Sequence, residues 1–268
     1  MNGYSDGCFN LIISGGCSGG FNMSADLSLL NQCRTSGDFS TRPTLRLYYF
    51  SPPALSLGFF QKKKDAGESV ILKARSKHYD VVRRPTGGRA VLHKDEITYS
   101  IVSSYKGGVF AGKLLETYKK AGKFLHLFFT NLGLNPDDGL YHTEGKKING
   151  KDKDADAKNG FNCFLKVHSY EITFGGKKIC GNSQRRNETA FLQHGSIYIN
   201  YNPLEHVDLF ENGNPHAGYF DNITGIKQEL DKAGLSFDLS FGSLSKVLAK
   251  SFQDAYNLKP LIMSLAEN

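Results

Sequence analysis

Cys163 and Lys178 lie fifteen positions apart, in the segment FNCFLKVHSYEITFGGKKICGNSQRR at 161–186. On neighbouring strands of one sheet, the two side chains would meet. An ammonium beside a thiol favours the thiolate and draws its pKa down from about 8.5. Sulfur is an intrinsically strong nucleophile, so the pair suits acyl transfer through a thioester. Taken alone, the same two residues equally describe an inert buried cysteine and a surface lysine. Lys178 also fits a donor to a carbonyl or phosphate, as in an adenylating enzyme. Cys180, in KKICG, competes for the nucleophile's role, but its strand-like surroundings favour packing. Cys8, Cys17 and Cys33 have only Arg34 as a basic neighbour and read as structural.

The stretch VVRRPTGGRAVLH at 81–93 places two glycines among three arginines. Gly87 and Gly88 permit a tight bend and a close backbone approach. Arg84 and Arg89 beside them suit an anionic or carbonyl-bearing partner, or bracing of the bend itself. A decorated hairpin turn accounts for the same letters. His93 and His194 each follow apolar residues near glycine. A lone histidine is more often structural than catalytic, although Gly195 after His194 leaves room for a substrate. Two histidines without a spaced carboxylate make no metal site.

These residues need a framework. The chain has 268 residues, enough for one large domain or two small ones with a sizeable core. Its 40% hydrophobic content is that of a globular protein. No apolar run is long enough to span a bilayer, and the N-terminus lacks a secretory pattern. Five cysteines without CxxC spacing argue against a disulfide framework or structural zinc and point to a reducing, cytoplasmic compartment. The net charge of +7 favours acidic partners. The basic residues are spread out, with no zinc-finger or RNP-like motif, so nucleic acid is not the expected partner, and neither is a membrane.

Strands are expected at 9–14, 45–50, 56–60, 79–84 and 97–105. Helices are expected at 22–33 (with Asn22 as N-cap), 66–78 and 111–132. The polar stretch 144–160 reads as an exposed loop. Residues 168–180 and 191–200 read as strands paired with each other, and the last third as helical, with Leu244, Val247, Leu248 and Phe252 forming one apolar stripe. The expectation is a single α+β domain over 1–268.

RRPTGGRAVLHKDEITYS, GGKKICGNSQRR and FLQHGSIYIN together resemble the biotin/lipoate protein ligase superfamily, most closely its LipM-type octanoyltransferase branch. FNLIISGGCSGGFNMSADLSLL and PTLRLYYFSPPALSLGFFQ resemble the start of the same family, so the similarity runs in order through most of 9–200. The resemblance implies a mixed α/β catalytic domain and one of two chemistries. Ligases activate lipoate with ATP and hold the adenylate with a lysine at the place of Lys178. Octanoyltransferases take octanoyl from acyl carrier protein and pass it through an acyl-cysteine to a lysine of a lipoyl domain, such as that of glycine cleavage H protein.

In the LipM-type branch the nucleophile precedes a Ser-Tyr-Glu stretch, matched here by Cys163-Phe164 followed by Ser169-Tyr170-Glu171. This carries Cys163 over as nucleophile and Lys178 as its activator. Arg89 stands where ligases tend to carry a third glycine, which favours the transferase. A thioester donor makes amide formation downhill, so that reading needs neither ATP nor metal. Arg84, Thr86, Gly87, Gly88, Arg89, Ala90, His93, Gly181, Ser183, Gln184, His194 and Gly195 become the expected substrate-binding residues. Ala90 to His93 would wall an apolar slot for the eight-carbon chain. Asn182-Ser183 replaces the family's usual Ser-Ala pair, and the 144–160 stretch resembles an insertion. The alternatives are an ATP-dependent lipoate ligase, an octanoyl amidotransferase between lipoyl domains, and a silent module that binds acylated proteins.

Overall fold

The computed structural model describes residues 7–35, 42–61, 67–137, 171–211 and 222–265. Cys163 and the 144–160 stretch lie outside the described residues. Among the described residues, eleven strands and six helices follow in the order β1 (Cys8–Cys17), α1 (Gly19–Thr35), β2 (Thr44–Phe50), β3 (Ala54–Leu57), α2 (Glu68–Ser76), β4 (Asp80–Arg83), β5 (Val91–His93), β6 (Glu96–Ser104) and α3 (Leu114–Asn131). After the undescribed stretch come β7 (Thr173–Phe174), β8 (Lys177–Lys178), β9 (Cys180–Arg186), β10 (Ala190–Tyr198), α4 (Pro203–Glu211), α5 (Ile226–Ala233), α6 (Phe241–Tyr256) and β11 (Lys259–Ile262).

A six-stranded mixed sheet runs β11-β1-β2-β6-β10-β9, beside a small β4-β3-β5 sheet and the β7-β8 hairpin. The two faces of the large sheet divide by the period-2 rule. Leu45 and Leu47 of β2, Ile97, Tyr99 and Ile101 of β6, and Phe191 and Ile197 of β10 face a layer made by α3 and α6. Phe124, Phe128, Leu244, Leu248 and Phe252 complete that core. The opposite face meets α1, where Leu30 packs on Val102 and Leu192. In the middle of that second face the alternate positions are polar: Arg46, Thr98, Ser100, His194 and Ser196 are all buried. Buried polar groups require partners, and that requirement builds the site.

The sequence reading needs three corrections here. Asn22 is not an N-cap: α1 begins at Gly19, and Ser18 Oγ accepts the Phe21 amide at 3.3 Å. Asn22 sits one turn in, with its side chain turned to Arg46. The expected pairing of 168–180 with 191–200 is met only at Cys180, which opposes Ile197. Thr173–Lys178 instead folds on itself as β7-β8 about Gly175-Gly176, both at positive φ, and β10 lies between β6 and β9, the strand CGNSQRR. The strand expected at 56–60 ends at Leu57, because Gly58 begins a turn that packs against the glycine bend.

Candidate active site

The glycine bend is held from below by one buried guanidinium. Arg84 is 4% exposed; its Nε and Nη2 donate to Gly87 O at 3.1 and 2.8 Å, and Nη2 also donates to Arg89 O at 2.7 Å. Its Nη1 reaches Ser56 O and Oγ, both at 3.2 Å. Arg84 is therefore a brace, with its charge spent on carbonyl oxygens of the bend. Gly88 takes φ of 94° and sits against Gly58, where a Cβ would lie 1.8 Å from Gly88 O. The close approach that the glycines allow is thus backbone to backbone.

Between this bend and the polar face of the sheet lies a small cleft. Met23, Tyr48, Phe50 and Val91 supply apolar walls, while Arg84, His93, Thr98, Ser183, His194 and Ser196 supply polar ones. Gly181 and Gly195 form part of the floor. A Cβ at Gly195 would meet Asn182 Oδ1 at 2.1 Å and the Tyr99 ring at 2.8 Å, so the glycine makes room for those two side chains on the helical face of the sheet. His93 is held at both ring nitrogens, by Ser56 Oγ at 2.7 Å and Ser196 Oγ at 2.9 Å, and stacks on Phe50 at 4.1 Å. Burial lowers its pKa, with Glu96 opposing, so it is a neutral wall at pH 7.

At the closed end lies a network that the motifs did not announce. Asp26, fully buried, accepts from Arg46 Nη1 at 3.0 Å, Ser100 Oγ at 2.8 Å and Tyr48 Oη at 2.9 Å. Arg46 also donates to Asn22 Oδ1 at 2.7 Å and Ser14 Oγ at 2.9 Å. His194 Nδ1 stands 3.1 Å from Asp26 Oδ2, and its Nε2 stands 2.6 Å from Thr86 Oγ1. Burial pushes the Asp26 carboxyl up, but the His194 hydrogen bond and the Arg46 charge outweigh it and hold the pKa below its ordinary value. The signal for this group was present in the sequence as an arginine inside the apolar strand TLRLYYF and an aspartate inside the apolar helix.

Of the expected binding residues, Arg84, His93, Gly181, Ser183, His194 and Gly195 line the cleft, and Thr86 joins it through Ser183 and His194. Gly87, Gly88 and Arg89 form the bend above it. Two expected residues are elsewhere. Ala90 faces away and packs with Leu55, Val70 and Leu92, so the slot's wall on β5 is Val91 and His93 alone. Gln184 lies on the helical face of β9, where its amide donates to Gln193 Oε1 at 3.0 Å and its carbonyl oxygen accepts from Thr117 Oγ1 at 3.1 Å.

Lys178 is fully buried, and its Nζ donates to Glu171 Oε1 at 2.6 Å. Cys180, two residues on, is packed in the core. Burial pushes its thiol well above the ordinary range; the Lys178 charge opposes this without overcoming it. Its Sγ donates to Asn182 Oδ1 at 3.1 Å. Cys180 is thereby a protonated packing residue. Cys8, Cys17 and Cys33 form no disulfide and are not among the residues that line the cleft. Among the described residues no group of three or more His, Cys, Asp or Glu side chains could hold a metal ion.

The chain is 40% identical over 182 residues to octanoyltransferase LipM of Carboxydothermus hydrogenoformans, covering 68% of this chain and 61% of that protein. It is 36% identical over 196 residues to octanoyltransferase LipM of Kyrpidia tusciae, covering 73% and 67%. The chain thus spans about two thirds of the length of the relatives it matches. The fold resembles the crystal structure of lipoate-protein ligase A bound with ATP, with a TM-score of 0.70 at 17% identity, over 97% of this chain and 90% of that one. Residues 18–253 match the lipoyl protein ligase A/B catalytic domain, and this protein belongs to that family.

Proposed function

We propose that the protein is an octanoyltransferase of lipoate biosynthesis, moving octanoyl from acyl carrier protein through a thioester on Cys163 to a lysine of a lipoyl domain. The observation that carries this reading is the cleft itself: an apolar slot floored by glycines and lined by neutral His93, in a chain related to LipM octanoyltransferases. Burying an eight-carbon chain at about 0.8 kcal/mol per methylene supplies several kcal/mol of binding. Lys178 carries a buried ammonium two residues from the cleft strand β9, a placement suited to stabilising a thiolate.

In the first half-reaction the Cys163 thiolate attacks the donor thioester and the pantetheine thiol leaves. In the second, the acceptor amine attacks the acyl-enzyme. Arg84 keeps the bend closed over the chain, and Thr86, Ser183 and His194 form the polar side of the slot. The reaction belongs in the cytoplasm, and no described helix is long and apolar enough to cross a membrane.

Intact-mass analysis tests the reading. Mixed with octanoyl-acyl carrier protein, the wild type should gain one octanoyl group and Cys163→Ser none. Transfer that needs lipoate and ATP and survives Cys163→Ala would overturn it in favour of a ligase. A preference for octanoyl-H protein as donor would make it an amidotransferase.

A further inference from the structure

Four side chains from four elements form one unbroken line from the core to the cleft: Asp26, His194, Thr86 and Ser183. The links are Asp26 Oδ2 to His194 Nδ1 at 3.1 Å, His194 Nε2 to Thr86 Oγ1 at 2.6 Å, and Thr86 Oγ1 to Ser183 Oγ at 2.7 Å. Asp26, Thr86 and His194 are buried, and only Ser183 faces the open cleft as a hydroxyl. Resting on the functional reading above, we infer that this line is a proton relay that accepts the proton released when the acceptor amine attacks the acyl-enzyme.

The direction of the relay follows from its fixed end. Asp26 is ionised and acceptor-only, with Arg46, Ser100 and Tyr48 all donating to it. Nδ1 of His194 must therefore carry its proton toward Asp26. With the imidazole neutral, Nε2 accepts from Thr86 and Thr86 accepts from Ser183, so Ser183 Oγ offers a lone pair to the cleft. With the imidazole protonated, Nδ1 still donates to Asp26, the bonds through Thr86 and Ser183 reverse, and Ser183 offers its proton instead. One proton taken from the cleft flips those bonds.

That is the change the second half-reaction needs. The amine nitrogen bonds to the acyl carbon and the bond from that carbon to sulfur breaks. The nitrogen's surplus proton goes to Ser183 Oγ as Ser183 passes its own to Thr86 and Thr86 passes its own to His194 Nε2. Asp26 balances the imidazolium. The proton then returns along the same hydroxyls to the released Cys163 thiolate, leaving amide and thiol. Among the described residues, the titratable and charged groups on the elements around His194 are Asp26 of α1, which it contacts, Arg46 and Tyr48 of β2, which contact Asp26, Arg84 and His93, which share its cleft, and Glu96 of β6, which faces His93. His194 and Thr86 act through Ser183 and are positioning residues.

The two half-reactions separate the possibilities. In rapid-quench mass spectrometry with octanoyl-acyl carrier protein, Thr86→Val should lose less in forming the acyl-enzyme than in the transfer that follows. It should then pass octanoyl to a lipoyl domain about 10²-fold more slowly. Thr86→Ser, which restores the hydroxyl, should recover most of that loss. Equal loss in both half-reactions, no loss in transfer, or no rescue by serine would overturn the relay. Nitrogen-15 spectra of His194 in the free wild type read it independently of any reaction. A proton on Nδ1 is expected, and a ring that carries its proton on Nε2 alone overturns the relay even if the reaction assigned above proves wrong. Absence of any adduct on wild-type Cys163 sinks the functional reading instead.

Discussion

Lys178 Nζ and Glu171 Oε1 stand 2.6 Å apart with the lysine side chain wholly excluded from solvent and the glutamate nearly so. The contact is a charge-assisted hydrogen bond, and a lysine beside a thiol favours the thiolate. Removing one member of such a pair strands the other, at a cost of about 3–5 kcal/mol. Replacing both by neutral groups of similar size removes that penalty. Lys178→Met should therefore lower stability by several kcal/mol and abolish acyl-enzyme formation. The double variant Lys178→Met/Glu171→Gln should regain most of the stability and none of the activity. Urea melts beside intact-mass assays check both halves; a double variant that regains both would remove Lys178 from the chemistry.

The glycines of the bend divide into a pair with opposite expectations. At Gly58 a methyl group would meet the Gly88 carbonyl oxygen at 1.8 Å, backbone against backbone, and the bend would have to move. At Gly87 the same methyl would meet nothing within 4 Å. Gly58→Ala should lower the melting temperature by several degrees, roughly 1–3 kcal/mol, and weaken binding of an octanoyl thioester. Gly87→Ala should melt within about a degree of the wild type, being free of that clash. Equal melting temperatures for the two variants would mean that the bend is not pinned by this contact.

The legible part of the sequence was what local chemistry dictates. The helix at 114–131 follows from its apolar repeat, and the bend follows from two adjacent glycines between strands. What escaped depended on partners distant in the chain. Ala90 and Val91 look alike as letters, yet β5 is a strand and its alternate residues face opposite sides, so only Val91 reaches the cleft. Gln184 misled for the same reason. Asp26 and Arg46 carried a readable anomaly, charge inside apolar elements, but their mutual distance of 3.0 Å joins a helix to a strand twenty residues away. The hairpin β7-β8 was misassigned because KKIC and GNSQRR are both strand-like, and the turn at Gly175-Gly176 decides which of them pairs with β10.

Two buried histidines make the fold acid-sensitive in a definable window. His206 of α4 packs among Tyr198, Tyr201 and Phe210; its Nδ1 lies 3.2 Å from Asn202 O and its Nε2 lies 2.9 Å from Tyr198 Oη. Burial lowers its pKa from 6.5 to about 4, against the opposing pull of the Asn202 carbonyl. Between those values the unfolded chain binds a proton that the folded one refuses. Stability therefore falls as pH drops from 6.5 to 4, by up to about 3 kcal/mol for this residue. His93 is shifted in the same direction and adds to the slope. Asp26, its pKa lowered by folding, acts below this window: its contribution is present above the ordinary carboxylate range and is lost as pH falls through its folded value. Urea midpoints measured from pH 7 to pH 4 should decline for the wild type and decline less steeply for His206→Gln. The two proteins should differ most in slope between pH 6 and 4.5, and parallel curves there would show that His206 takes up its proton without unfolding the chain.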